Sequence, residues 1–225
     1  MLGTIINVGT IVAGSLIGLL FHSKIPEKVT ERAFQGIGLF TIFLGIKLAL
    51  QTTNFLIMIF SLVLGAILGE IIDIDKQLNK GADKLKVKLS STNNRFSEGL
   101  ITSFLLFCMG SMTILGAIEE GLGGKPDLLI AKSILDGFGS IAFASVMGIG
   151  VMFSVIPLLI YQGGLTILAR IAGEHLSELA VNEMSAVGGI LLIGLGITVL
   201  KIKEIKILNM LPALLLALVF TLILK

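Results

Sequence analysis

A chain of 225 residues that is 55% hydrophobic and only 14% charged, with a mean hydropathy of +1.01, lies outside the range of water-soluble domains, where roughly a quarter of residues are charged. The composition excludes a soluble domain, and a net charge of +2 gives no reason to expect a nucleic-acid partner. One cysteine, Cys108, excludes an intrachain disulfide and a cysteine-cluster metal site, and inside an apolar run it reads as a small buried hydrophobe.

A helix needs about 20 mostly apolar residues to span a bilayer. The pattern predicts spanning helices over 3–22, 34–52, 55–73, 98–118, 128–148, 151–171, 184–201 and 206–224, an all-α polytopic bundle of about eight helices. The first, "LGTIINVGTIVAGSLIGLLF", has no charge before Lys24, so it lacks the basic start of a signal peptide and is expected to be retained. It carries Asn7, Gly9 and Gly14 within the apolar run. Lys47, near the end of the second helix, is placed to snorkel to the interface.

After the third helix comes "DKQLNKGADKLKVKLSSTNN", which is polar and basic. It reads either as a short amphipathic helix with a flexible end, lying against anionic headgroups, or as a solvated tether between two bundles.

The fourth helix contains "CMGSMTILGAIEEGLGG", in which Gly110, Ser111, Thr113 and Gly116 form a small, hydroxyl-bearing patch. Such a patch either admits a close neighbour or, if the helix breaks there, offers free backbone groups to a ligand. Glu119 and Glu120 follow, as a candidate entrance or as solvated charges.

The fifth helix holds "AKSILDGFGS". If it begins near Asp127, a rise of 1.5 Å per residue puts Lys132 roughly 8 Å and Asp136 roughly 14 Å into the bilayer. Both then share one face, although lysine preceding aspartate is the weaker order for such a pair. An ionisable group at the helix centre costs at least about 2.5–3.5 kcal/mol and requires a partner or a water-filled cavity. Asp136 therefore reads as a proton or cation site with Lys132 as its internal counter-charge. The alternative is that Lys132 snorkels outward while Asp136 staples helices.

The sixth helix is interrupted by "YQGGLT", with Tyr161, Gln162 and two glycines four residues after Pro157. Proline and paired glycines suit either a discontinuous segment whose carbonyls coordinate a ligand or a packing kink. The two histidines, His22 and His175, fall at helix ends on opposite sides, so they cannot share a metal. No protease, hydrolase, Walker or dinucleotide motif is present, so neither an enzyme nor a cofactor is expected.

Basic residues accumulate in cytoplasmic loops. With the N-terminus outside, twelve of the seventeen Lys and Arg residues fall inside, which favours an even number of helices between residues 98 and 201. A shift of 151 positions lays "LFTIFLGIKLAL" on "ILLIGLGITVLK", matching Gly38 with Gly189 and Gly45 with Gly196. Helices one to three then repeat, inverted, as six to eight, as in secondary transporters. This division gives a first repeat over 1–75, a basic cytoplasmic loop over 76–97, central helices over 98–150 and a second repeat over 151–225.

With "GSMTILGAIEEGL", "AKSILDGFGSIAFAS" and "YQGGLT" in view, the chain resembles, from end to end, a bacterial inner-membrane family of unknown function, domain of unknown function 554, the YdfK and YqgA type. The resemblance implies a small multi-pass inner-membrane protein and carries over no substrate. The residues themselves lead to the expectation of a transporter or channel for a small solute or ion. Its pathway would be lined by Asp136, Lys132, Thr113, Ser111, Gln162, Tyr161 and Asn7. A bundle this lean suits a homodimer sharing the fourth and fifth helices. The competing expectation is a membrane scaffold or regulator with a structural Lys-Asp pair.

Overall fold

A computed structural model describes residues 1–22, 26–88, 95–172 and 178–223. Lys24, His175 and the expected flexible end of the third loop lie outside the described residues. Among the described residues every regular element is helical: α1 (Leu2–His22), α2 (Glu27–Ala49), α3 (Phe55–Ile72), α4 (Ile74–Lys88), α5 (Phe96–Cys108), α6 (Ser111–Gly121), α7 (Asp127–Met147), α8 (Gly150–Phe153), α9 (Val155–Ala172), α10 (Glu178–Val199), a 3-10 turn (Ile207–Met210) and α11 (Pro212–Ile223).

The helices are apolar on the outside and small or polar on the inside. In α1 the buried residues are Gly3, Thr4, Asn7, Ile11, Gly14, Ser15 and Gly18, whereas Leu16, Leu20 and Phe21 are exposed. In α3 only Ile57, Ser61, Gly65 and Gly69 are buried, and Phe55, Ile59, Val63 and Ile71 face out. A helix in water would present the reverse. Small interior residues and large exposed ones are what hydrocarbon surroundings select, because lipid tails solvate leucine as well as a protein core does.

Among the described residues six helices are long and apolar enough to cross a membrane: Leu2–His22, Glu31–Ala49, Phe55–Ile72, Asp127–Met147, Gly150–Ile171 and Leu179–Val199. The expected fourth span is two helices, Phe96–Cys108 and Met112–Gly121, bent by 64° at the break, and counts as a seventh if the pair is one span. The expected eighth is shorter than a full span, a 3-10 turn running into α11 over Ile207–Ile223. Pro212 opens α11, where its missing N–H removes no helical bond.

The expected break in the sixth helix is corrected. α9 runs unbroken through Tyr161, Gln162, Gly163 and Gly164, because Pro157 falls in its first turn, where an N–H has no intrahelical partner. α1 is likewise continuous. The interruption in this span lies earlier, at Ser154 between α8 and α9, and the turn from α7 into α8 is made at Gly148, which takes φ +81° and lets the chain turn back within two residues. The basic segment after α3 is the helix α4. It starts directly after Asp73, whose left-handed backbone (φ 55°) ends α3 and whose N–H caps the Glu70 and Gly69 carbonyls.

Contacts divide the chain into two units that interleave along the sequence. The first comprises Met1–Ala33, Ala82–Cys108 and Met112–Gly173. Within it α1 lies along α7, and side chains at Gly14 or Gly18 would collide with the Gly137 or Ile141 carbonyl. The second comprises Phe34–Gly81, Met109–Ser111 and Glu174–Lys225. Within it α2 and α10 cross antiparallel, Gly38 against Gly196 and Gly45 against Gly189. α3 meets the 3-10 turn and α11 through Gly69 at Asn209 and Gly65 at Ala213. α10 is its centre, with 78% of its spanning window buried, against 22% for α3.

Candidate functional site

The inner face of α7 is Leu129, Lys132, Ser133, Asp136, Ser140, Ala144 and Met147. These positions recur at three- and four-residue steps, and Ile134, Leu135 and Phe138 on the other side are exposed. Lys132 and Asp136 therefore face the interior of the first unit, only 5% and 8% exposed. They form an ion pair one helical turn apart. Lys132 does not snorkel: its ammonium lies in the interior, and burying it unpaired would cost several kcal/mol.

α1 and α9 extend the polar interior. Asn7 Nδ2 donates to Gln162 Oε1 at 3.2 Å, and Gln162 Nε2 donates to Thr4 Oγ1 at 3.2 Å. All three side chains are fully buried. The Asn7 amide also lies beside the Asp136 carboxylate. A chain of polar groups thus runs from Thr4 through Gln162 and Asn7 to the ion pair.

Asn7 Oδ1 in this cluster has no hydrogen-bond partner, and neither has the buried Tyr161 hydroxyl, which lies within electrostatic reach of Cys108. The Tyr161 ring packs edge-on against Phe104, with centroids 6.4 Å apart. Cys108, the last residue of α5, is fully buried and lies within electrostatic reach of both Lys132 and Asp136. The end of α5, at the 64° bend, therefore adjoins the buried charges.

Other candidates do different work. Thr113 Oγ1 donates to the Phe107 carbonyl at 2.9 Å, which satisfies one of the acceptors freed where α5 ends. Ser111 opens α6, and its side chain is outside the described set. Glu120 is not a solvated charge: it accepts from the Gly3 N–H at 3.0 Å and pairs with the Met1 amine at 2.8 Å, tying the start of α1 to the end of α6. The Glu119 carbonyl accepts from Gly124.

Two arrangements in the second unit escaped the sequence reading. Glu183 on α10 is fully buried and accepts from Thr52 Oγ1 at 2.7 Å, Thr53 N at 2.7 Å, Thr53 Oγ1 at 3.0 Å and Asn54 N at 3.1 Å. It holds the α2–α3 turn, in which Asn54 caps α3. Asn209 accepts from Asp75 N and donates to Glu70, which also binds Lys206 at 2.9 Å. The only signal for either was polarity next to an apolar run, with no indication of the partner more than a hundred residues away.

An inside-out bundle of apolar helices with charges paired in its interior defines an integral, multi-pass membrane protein. Residues 2–222 match the family described as "Protein of unknown function (DUF554)", and the chain belongs to that family. It is 37% identical over 219 residues to the "Uncharacterized membrane protein YdfK" of Bacillus subtilis (strain 168), covering 96% of this chain and 93% of that one. It is 34% identical over 222 residues to the "Uncharacterized protein YqgA" of Escherichia coli (strain K12), covering 96% and 94%. No solved structure matches.

Proposed function

We propose that this protein is a secondary transporter or channel for a small solute or ion, resident in the bacterial inner membrane with its N-terminus outside. The observation that carries the reading is the buried Lys132–Asp136 pair, with the unpaired Asn7 Oδ1 in the same cluster. Charges at this depth are costly, and in membrane proteins they mark pathways and relays. The bend between α5 and α6 adds support, since irregular backbone inside a membrane is tolerated where it lines a cavity or is buried in protein.

Packing in the second unit supports an inverted repeat as the frame of this device. Any antiparallel helix pair has a local two-fold axis. In α2 and α10 that axis falls between residues equivalent under the 151-residue shift: Gly38 faces Gly196 and Gly45 faces Gly189, while Ile42 meets Gly196 and Ile193 meets Gly45. Gly, Ile and Gly thus recur at 38, 42, 45 and at 189, 193, 196, each set packed on the other. Such repeats allow two similar halves to exchange conformations around a midplane site. With α11 and the bent pair counted as spans the bundle has eight, and a homodimer would enlarge the enclosed volume. The polar cluster serves binding and passage in this reading, not catalysis.

A scaffold or regulator is the second reading, favoured by the fact that Lys132 and Asp136 satisfy each other within one helix. Melting of the purified protein against a panel of ions and metabolites separates the two. A ligand at 100 times its dissociation constant adds about 2.7 kcal/mol. Stabilisation that Asp136→Asn abolishes, followed by flux of that ligand into liposomes, supports transport. Melting that no ligand moves, with Asp136→Asn merely less stable, supports the scaffold.

A further inference from the structure

We infer that Asp136 takes a monovalent cation in exchange for the Lys132 ammonium, with Asn7 Oδ1 as a second oxygen ligand. The inference rests on the reading of the buried pair as the transport site and narrows what that site accepts.

The unmet demand in the cluster has a definite chemistry. Asn7 is fully buried, its amide nitrogen is committed to Gln162, and its oxygen has no partner. That oxygen lies on the side chain that flanks the Asp136 carboxylate. The N–H side of the amide faces the Asp136 carboxylate, so turning it over, even together with the Gln162 amide, would set its oxygen against that carboxylate, and the acceptor stays unpaired. A carboxylate and an amide oxygen are ligands for a hard cation.

Charge then selects the valence. Asp136 neutralises one positive charge, and at present that charge is Lys132. A divalent ion would leave an excess charge buried in an apolar interior, and among the described residues no group of three or more His, Cys, Asp or Glu gathers to meet it. An anion would have to settle on Lys132 beside both a carboxylate and an unpaired acceptor, which repel it. A monovalent ion replaces the ammonium one for one and satisfies the orphan oxygen. Lys132 is in this view a tethered stand-in that fills the site when it is empty. When the ion arrives, its ammonium swings out of the site on its flexible four-carbon stem, so that the buried charge stays balanced.

A proton is the rival occupant, so the groups around Asp136 matter. They are Lys132 on its own helix, Cys108 at the end of α5 and, beyond Cys108, Tyr161 on α9. α1 contributes only His22, at the far end of α7 on the Ser145 carbonyl, and α8 contributes no titratable residue.

The test is the melting temperature of the purified full chain in sodium, potassium or choline chloride at matched ionic strength, near pH 8 and near pH 5.5. Wild type, Asp136→Asn, Lys132→Gln and the double variant are compared. Lys132→Gln removes the stand-in, so it is expected to melt below wild type in choline near pH 8 and to recover by at least about 3 °C in sodium or potassium. Asp136→Asn and the double variant are expected to melt alike in all three salts. Recovery on acidification alone assigns the site to a proton and overturns the metal-ion assignment. Indifference of Lys132→Gln to both salt and pH overturns the inference altogether. Should Lys132→Gln fail to fold, wild type carries the test, through a sodium or potassium shift that Asp136→Asn removes. Cation-dependent melting without cation flux into liposomes would leave the site standing and sink the transport reading; solute flux indifferent to these cations would do the opposite.

Discussion

Glu183→Ala is expected to be among the most damaging single changes in the second unit. The carboxylate accepts two backbone N–H groups, Thr53 and Asn54, and the hydroxyls of Thr52 and Thr53. Hydrogen bonds to a charged acceptor contribute about 1.5–3 kcal/mol each, and a donor left unpaired in a buried place costs about 1–3 kcal/mol. The hydroxyls can rotate to other partners, and Thr53 is exposed enough for water to reach it. The loss therefore rests chiefly on the Asn54 N–H and the missing charge, about 2–4 kcal/mol. In a chain of this size that is a fall of roughly 5–15 °C in melting temperature. Glu183→Gln should lose only about 1 kcal/mol, because both backbone N–H groups bond the same oxygen, Oε1, which the amide retains. The single cysteine supplies the assay: Cys108 is fully buried, so a thiol-reactive fluorophore added during heating reports unfolding. Equal melting of Glu183→Ala and wild type, or of the alanine and glutamine variants, would refute this account of how the α2–α3 turn is held.

Four further outcomes are open to the same assay. Gly45→Ala is expected to cost about 1–3 kcal/mol, as its methyl would press on Gly189 and Ile193, whereas Gly36→Ala, with nothing within 4 Å, should be neutral or up to about 1 kcal/mol stabilising. Thr113→Val, which leaves the Phe107 carbonyl without the hydroxyl it accepts from, should lower stability by about 1–2 kcal/mol and make Cys108 react faster with a maleimide below the melting point. Asn209→Ala should cost about 2 kcal/mol by stripping both Asp75 N and Glu70 of a partner. Lys206→Gln, removing a largely exposed ion pair, should leave melting unchanged.

Most of the architecture could be read from hydropathy, because each span carries its own signal within about 20 residues. Every expected span has a helical counterpart, with ends shifted by a few residues. α2 starts at Glu27 rather than 34, since a helix continues into water once the apolar run has ended. The fourth span was not legible as two pieces: glycine and serine at 110 and 111 are compatible with a tight crossing or with a break, and only the neighbours decide. The reverse error fell on "YQGGLT", where glycines suggested an interruption that α9 does not have. Lys132 and Asp136 were visible because charge within an apolar run is rare. Asn7 could be noticed but not paired, and Thr4 not at all, since their contacts with Gln162 cross more than 150 residues.

The enclosure of α10 has a consequence for the order in which the chain is built. With 78% of its window buried, α10 has little surface for lipid, and it carries Glu183 at the outset. Taken alone it would be a poor passenger in a bilayer. Synthesis from the N-terminus delivers α2 and α3 first, and these hold what α10 requires: the glycine stripe that accepts its backbone and the Thr52–Asn54 turn that receives its carboxylate. α10 therefore emerges into a seat already made, whereas α10 inserted without α2 and α3 would have no partner for that charge.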